Sequence, residues 1–170
     1  PLAQAILAKA QGNPLFLEEV AQTVVEQGGL GRARGEAFPP ALQLPPTLQG
    51  VLAARIDHLA AESKALLQVA AVIGKACARD LLQRVADLPD TTFLQQLSHL
   101  QRAEFLYEQP ASPAPVYTFK HVLIQEVAYA SLPQARKQTV HERTAQAIEA
   151  LAGDRLAERG RARAARGGGD

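Results

Sequence analysis

The sequence has a single cysteine, Cys77, which excludes a disulfide within the chain and makes a reducing compartment the expected environment. No Cys/His cluster has the spacing of metal ligands. No apolar run approaches the ~20 residues that a membrane-spanning helix requires, and the first residues lack the charged region and apolar core of a secretion signal. We therefore expect a cytoplasmic protein without a metal site. The sequence also begins without a methionine, which predicts a piece of a longer protein.

Signatures of catalytic machinery are missing as well. A Gly-Lys pair at positions 74 and 75 lacks two further residues of a phosphate-binding loop, since Val69 replaces the required glycine and Ala76 the required Ser or Thr. No GxSxG or HExxH motif is present. The chain itself is therefore predicted not to be an enzyme.

The candidate acids and bases have simple structural interpretations. Glu18 and Glu19 are adjacent in a predicted helix and point about 100° apart, which predicts a solvated first turn and not a catalytic pair. His58, His99 and His141 are interpreted as polar positions on helices. None of these five side chains is predicted to act in catalysis.

Charge is distributed unevenly, although the formal net charge is only +1. Residues 1–154 contain 13 basic and 15 acidic side chains, whereas residues 155–170 contain 5 basic and 2 acidic ones. Residues 154–170 alternate Arg, Ala and Gly with few apolar side chains, which predicts a disordered tail or the product of a shifted reading frame. A tail that binds nucleic acid is the alternative.

Helical periodicity organises most of the remaining chain. Two helices are predicted in residues 1–30, where Gly12 ends the first and Asn13 and Pro14 cap and begin the second. Residues 31–45 contain Gly and Pro without a sustained period, which indicates a linker. Further helices are predicted at residues 46–59, 63–73, 80–88, 90–102 and 134–151. The apolar side of the last helix needs a covering partner.

A β-hairpin is predicted after these helices, because residues 105–107 and 116–119 are rich in aromatic and β-branched side chains and flank a loop with prolines. Three helices followed by a hairpin predict a winged helix, assigned to residues 46–132, and residues 133–153 form a final helix. The predicted fold class is therefore mainly α with one β-hairpin.

His121 stands where the second strand of this hairpin changes into a helix. The N-terminus of a helix is electropositive and attracts anions, which makes this joint a candidate sensor of a phosphate group. The simpler alternative is a partly buried residue at a helix start.

Several motifs occur in a characteristic order. They are GNPLFLEE at residues 12–19, PPTLQGVLAARID at 45–57, LQVAAVIG at 67–74, YTFKH at 117–121 and QEVAY at 125–129. Together they resemble the signal-transducing ATPases with numerous domains, in particular the bacterial branch in which an AAA-type ATPase module and tetratricopeptide-like repeats follow a class III adenylate or guanylate cyclase domain. The resemblance covers about residues 3–152.

The resemblance implies roles for particular residues. Residues 1–30 would be the end of the helical lid of the ATPase, in which Gly12, Asn13 and Pro14 contact the adenine of ADP. His121 would contact the β-phosphate of ADP and lock the closed state, although Val122 stands where the family often has an acid. The ATPase core would precede this chain, so ATP or ADP is expected as the cofactor of the longer protein and not of this chain alone.

The resulting hypothesis is a non-catalytic regulatory portion that couples the ADP/ATP state to domain movement. Its expected partners are the upstream ATPase core, the downstream repeats and a possible protein partner, without a membrane. One alternative is a DNA-binding winged helix of a transcription regulator, which is disfavoured because the candidate recognition helix has Arg102 alone and the wing tip has no basic residue. The other alternative is a helical protein-interaction scaffold.

Overall fold

The computed structural model describes residues 13–26, 47–112 and 114–166. The chain divides into two compact units, Pro1–Leu59 and Ala60–Asp170. Within the described ranges, no helix is both long enough and apolar enough to cross a membrane.

The described residues of the first unit form two helices, α1 (Pro14–Glu26) and α2 (Leu48–Asp57). They pack on one another through a cluster of apolar side chains, namely Phe16, Val20 and Val51, with Leu17 and Leu48 packed against it. Thr47 caps α2, because its hydroxyl accepts a hydrogen bond from the Gly50 N–H at 3.2 Å. The sequence analysis assigns residues 46–57 to the winged-helix domain; in the structure, Val51 and Arg55 of α2 contact α1.

The second unit contains the remaining elements. In chain order they are α3 (Ala61–Ile73), β1 (Ala76–Ala78), α4 (Arg79–Ala86), α5 (Asp90–Arg102), β2 (Leu106–Gln109), β3 (Val116–Phe119), α6 (Val122–Ala130) and α7 (Gln134–Arg166). The three strands form an antiparallel sheet in the order β1-β3-β2. One helix, a strand, two helices and a hairpin, with the first strand beside the last, make a winged helix. The predicted fold class, mainly α with one hairpin, is confirmed.

The strand β1 is a part of this sheet that the sequence does not predict. Its three residues pair with β3 in a register that sets Cys77 opposite Tyr117. A run of three small residues has neither the length nor the alternation of a recognisable strand. It becomes a strand because β3 offers a free edge to its backbone hydrogen-bonding groups.

The core of the winged helix contains large apolar side chains from several of its elements. Its largest fully buried side chains include Leu66 and Leu67 of α3, Phe93 of α5, Phe105 before β2 and Ile124 of α6. Burying each such side chain stabilises the fold by about 1.5–3 kcal/mol before the entropy of ordering is subtracted. α3 is the central helix, since it contacts α4, α5, α6 and α7.

The helix α7 is packed in its first half and longer than the sequence predicts. Val140 and Ala147 are buried with Val72, Val85 and Leu132, so part of the predicted apolar side is covered by the winged helix. The helix then continues to Arg166, which corrects the prediction of a disordered tail for residues 154–166. Arg, Ala, Glu and Leu favour the helix, and isolated glycines cost only about 1 kcal/mol each.

Three described residues have a positive φ, and two of them take part in ion pairs. Asp87 (φ 55°) ends α4, and its carboxylate accepts a hydrogen bond from Arg143 at 2.9 Å. Glu104 (φ 59°) accepts a hydrogen bond from the Lys120 ammonium at 2.7 Å. The third residue is Gly74 (φ 141°), which ends α3 as its sequence position predicts.

Candidate functional site

The turn before α1 has the geometry that the sequence predicts. The Asn13 side-chain oxygen accepts hydrogen bonds from the N–H groups of Leu15 (3.0 Å) and Phe16 (3.4 Å), which are otherwise unsatisfied at a helix start. Pro14 is the first helical residue, where its missing N–H costs nothing. Asn13 and Pro14 are both exposed, so the ring of Pro14 is accessible to a planar ligand. Gly12 lies outside the described residues.

His121 lies at the joint between β3 and α6, as predicted. It is the N-cap residue of α6, with extended backbone angles (φ −137°, ψ 143°), and its carbonyl accepts a hydrogen bond from Ile124 N–H at 3.1 Å. The imidazole does not cap the first turn of the helix. The residue as a whole is half-buried, and the Nε2 atom of its ring is buried.

Backbone hydrogen bonds attach the two residues before His121 to other parts of the winged helix. Phe119 N–H donates to the Lys75 carbonyl at 3.4 Å, and Lys120 N–H donates to the Phe105 carbonyl at 3.1 Å. An imidazole held beside the first N–H groups of a helix can donate, together with them, to the oxygens of a phosphate. Recognition of an anion at His121 stays a prediction.

A buried ion pair in the first unit is absent from the sequence-based predictions. Glu19 and Arg55 are 1 % and 3 % exposed, and the Arg55 guanidinium donates to the Glu19 carboxylate. The prediction of a solvated first turn is therefore correct for Glu18, which is exposed, and wrong for Glu19. The Thr23 hydroxyl donates to the Glu19 carbonyl at 2.8 Å.

The sequence does contain a signal for this burial. Phe16, Glu19, Val20 and Thr23 have the i, i+3, i+4, i+7 spacing of one helix face, so Glu19 shares the apolar side. The spacing indicates that the carboxylate faces inward. It does not identify Arg55 as the partner, because 36 residues separate the two.

A second polar network joins α3 to α5 and includes a serine and a histidine. Gln96 donates to the Glu62 carboxylate at 3.0 Å, and the Ser63 hydroxyl donates to the Gln96 carbonyl oxygen at 2.5 Å. His99 Nδ1 lies 2.9 Å from the Ser63 oxygen. Since a hydroxyl has one proton, His99 Nδ1 is the donor to Ser63 and cannot be its base. Ser63 is also fully buried, so this is a structural network and not a nucleophile.

The paired residues Cys77 and Tyr117 are inert at neutral pH. Burial raises the pKa of the Cys77 thiol to about 12, and the thiol donates to the Tyr117 carbonyl at 3.6 Å. Burial also raises the pKa of the Tyr117 phenol to about 12, to which the hydrogen bond to the Glu108 carboxylate at 2.7 Å adds. Because the thiolate is the reactive form of cysteine, Cys77 is not a candidate nucleophile.

Other surfaces offer less chemistry. A groove of about 610 Å³ lies between α4 and α7 and includes the Arg84–Asp154 pair at 3.2 Å, but none of the predicted site residues lines it. On α5, Leu94 is 42 % exposed and Arg102 is the one Lys or Arg. Among the described residues, no group of three His, Cys, Asp or Glu side chains could hold a metal ion.

The predicted site residues that the structure describes lie in two different units. Asn13 and Pro14 belong to Pro1–Leu59, and His121 belongs to Ala60–Asp170. Each of these residues is an exposed or half-buried group at a helix N-terminus. No protein-family model matches this chain, and no curated protein matches it.

Proposed function

We propose that this chain is the non-catalytic regulatory portion of a signal-transducing ATPase of the type that its motifs resemble. In this proposal α1 is the end of the ATPase lid, the winged helix follows it, and α7 leads to the repeats. ADP, bound mainly by an upstream core in the cytoplasm, bridges the Asn13–Pro14 turn and His121. Exchange of ADP for ATP releases the bridge and lets the domains move.

One observation is the main support. His121 is the N-cap residue of a helix that begins directly after the last strand of a winged helix, and its backbone is held on both sides by hydrogen bonds. A neutral imidazole or imidazolium at such a position is suited to a terminal phosphate, because the helix start adds N–H donors and positive potential. The capped turn at Asn13 supplies a separate contact for the base.

Calorimetry with ADP and with ATP tests the proposal. We expect the full chain to strengthen ADP binding when it is joined to an upstream ATPase core of the resembled family. His121→Ala should raise the ADP dissociation rate and leave ATP affinity nearly unchanged, since the β-phosphate contact belongs to the ADP-bound closed state. His141→Ala, which removes an exposed imidazole on α7, is the matched control and should behave as wild type.

Equal rates of ADP release from wild type and His121→Ala would refute the bridging role.

A second candidate, a helical scaffold for a protein partner, is favoured by Ile148 and Leu156, which are 51 % and 69 % exposed on α7. It predicts the same ADP affinity for the core with and without this chain. Salt-sensitive binding of duplex DNA would instead favour the DNA-binding alternative.

A further inference from the structure

The buried pair of Glu19 and Arg55 is more polar than the packing of two short helices requires. Removing two charges from water is costly, and apolar side chains of similar volume often give equal or greater stability. What an ion pair adds is direction, because a guanidinium N–H has to point at a carboxylate oxygen. The pair therefore constrains how α1 is oriented on α2.

The apolar contacts around the pair do not impose that constraint. Phe16, Val20 and Val51 form a small cluster, and hydrophobic contact is non-directional, so α1 can rotate or slide on it with little loss. Rotation or sliding of α1 would separate the Glu19 carboxylate from Arg55 and leave both charges buried without each other. The pair thus selects one orientation among several that the apolar cluster permits.

The orientation of α1 also determines where the candidate adenine contact lies. Glu19 follows Pro14 by five residues, which is about 7.5 Å along the helix axis. The Asn13 cap joins the turn to the first helical N–H groups, so turn and helix move as one body. A displacement at Glu19 is consequently transmitted to Asn13 and Pro14.

We propose that Arg55 is a positioning residue that acts through Glu19 to set the orientation of the Asn13–Pro14 turn toward an adenine nucleotide. Arg55 itself does not contact the nucleotide. The nucleotide part of this inference rests on the proposed function, whereas the orientation of α1 can be measured without it.

The decisive variant removes both charges and keeps the volume. Arg55→Met alone leaves a buried carboxylate without this partner and should lower the urea midpoint of unfolding. The double variant Glu19→Leu/Arg55→Met should recover the wild-type midpoint or exceed it. Arg84→Gln, which breaks the exposed pair with Asp154, is the control for loss of an arginine charge.

The orientation of α1 can be measured by electron spin resonance between labels at Ala21→Cys and Gln49→Cys. Both positions are exposed, and the buried Cys77 should not react with the label. We expect a single narrow distance distribution for the otherwise wild-type chain and for Arg84→Gln, and a broadened or shifted one for the double variant. The same distance distribution in the wild-type chain, Arg84→Gln and the double variant would refute the role of the ion pair in orienting α1.

ADP affinity in the presence of the ATPase core tests the consequence. The double variant should bind ADP about tenfold more weakly although its urea midpoint is restored, and Arg55→Lys, which retains a positive charge, should bind more tightly than the double variant. A purely structural role predicts that ADP affinity recovers together with stability, and this result would overturn the inference. If the wild-type chain fails to strengthen ADP binding, the proposed function fails instead, while the label distances still decide the orientation of α1.

Discussion

The effect of backbone strain at Gly74 on stability can be measured by comparing Gly74→Ala with the same substitution at Gly153. It ends α3 with φ 141° and ψ −168°, a region that is essentially restricted to glycine. A Cβ added there would meet no atom within 4 Å, so no steric clash contributes. Gly74→Ala should therefore lower the free energy of unfolding by about 1–3 kcal/mol, entirely through backbone strain.

Gly153 is the control, because a Cβ at this position also meets no atom within 4 Å but the residue lies inside α7. Alanine is the better helix former, so Gly153→Ala should stabilise α7 by about 0.5–1 kcal/mol. The same substitution in equally open surroundings is thus expected to lower the free energy of unfolding at Gly74 and to raise it at Gly153.

Urea unfolding followed by far-UV circular dichroism measures both effects. A change in midpoint at constant m-value reports a change in stability without a change in the surface exposed on unfolding. For the second unit, a loss of 1 kcal/mol corresponds to a fall of about 4–8 °C in Tm. A neutral or stabilising Gly74→Ala would refute the assigned backbone conformation, and a strongly destabilising Gly153→Ala would refute the helical assignment of residue 153.

Two further predictions concern polar groups in the winged helix. Burial raises the pKa values of Cys77 and Tyr117 to about 12, from ordinary values of 9.0 and 10.0. Their neutral forms therefore stabilise the fold below about pH 9, and this contribution is lost as the pH rises from about 9 to 12. The urea midpoint should fall less steeply with pH for Tyr117→Phe than for wild type, and equal slopes would contradict the raised pKa of Tyr117. Ser63→Ala should cost about 1–3 kcal/mol, because the buried Ser63 hydroxyl is lost and the half-buried Gln96 and His99 each lose a hydrogen-bond partner. Chemical denaturation measures the loss, and an unchanged midpoint would contradict this contribution.

Much of the local structure follows from short stretches of sequence. Asn13 is a helix cap because its side-chain oxygen reaches N–H groups two and three residues away. Gly74 stops a helix because it alone tolerates the required φ. The hairpin strands and most helices were predicted for the same reason, since their periodicity reflects contacts made within one element. The placement of His121 at the strand–helix joint is equally local.

The tail shows the limit of composition as a guide. Residues 154–166 have few apolar side chains, which predicted disorder, but a helix needs only compatible residues once its first turns are packed. The packed half of α7 supplies these turns through Val140 and Ala147, so nucleation is already complete where the polar segment begins.

The remaining features depend on partners that are distant in sequence. The strand β1 exists because β3 pairs with it, and Ala76 to Ala78 contain no strong signal of their own. The pairs Glu19–Arg55 and Ser63–His99 each join residues that are 36 positions apart. The sequence shows which helix face bears such a polar group, but its hydrogen-bond partner is determined only when two elements pack, because burial makes an unmatched charge or hydroxyl too costly to keep.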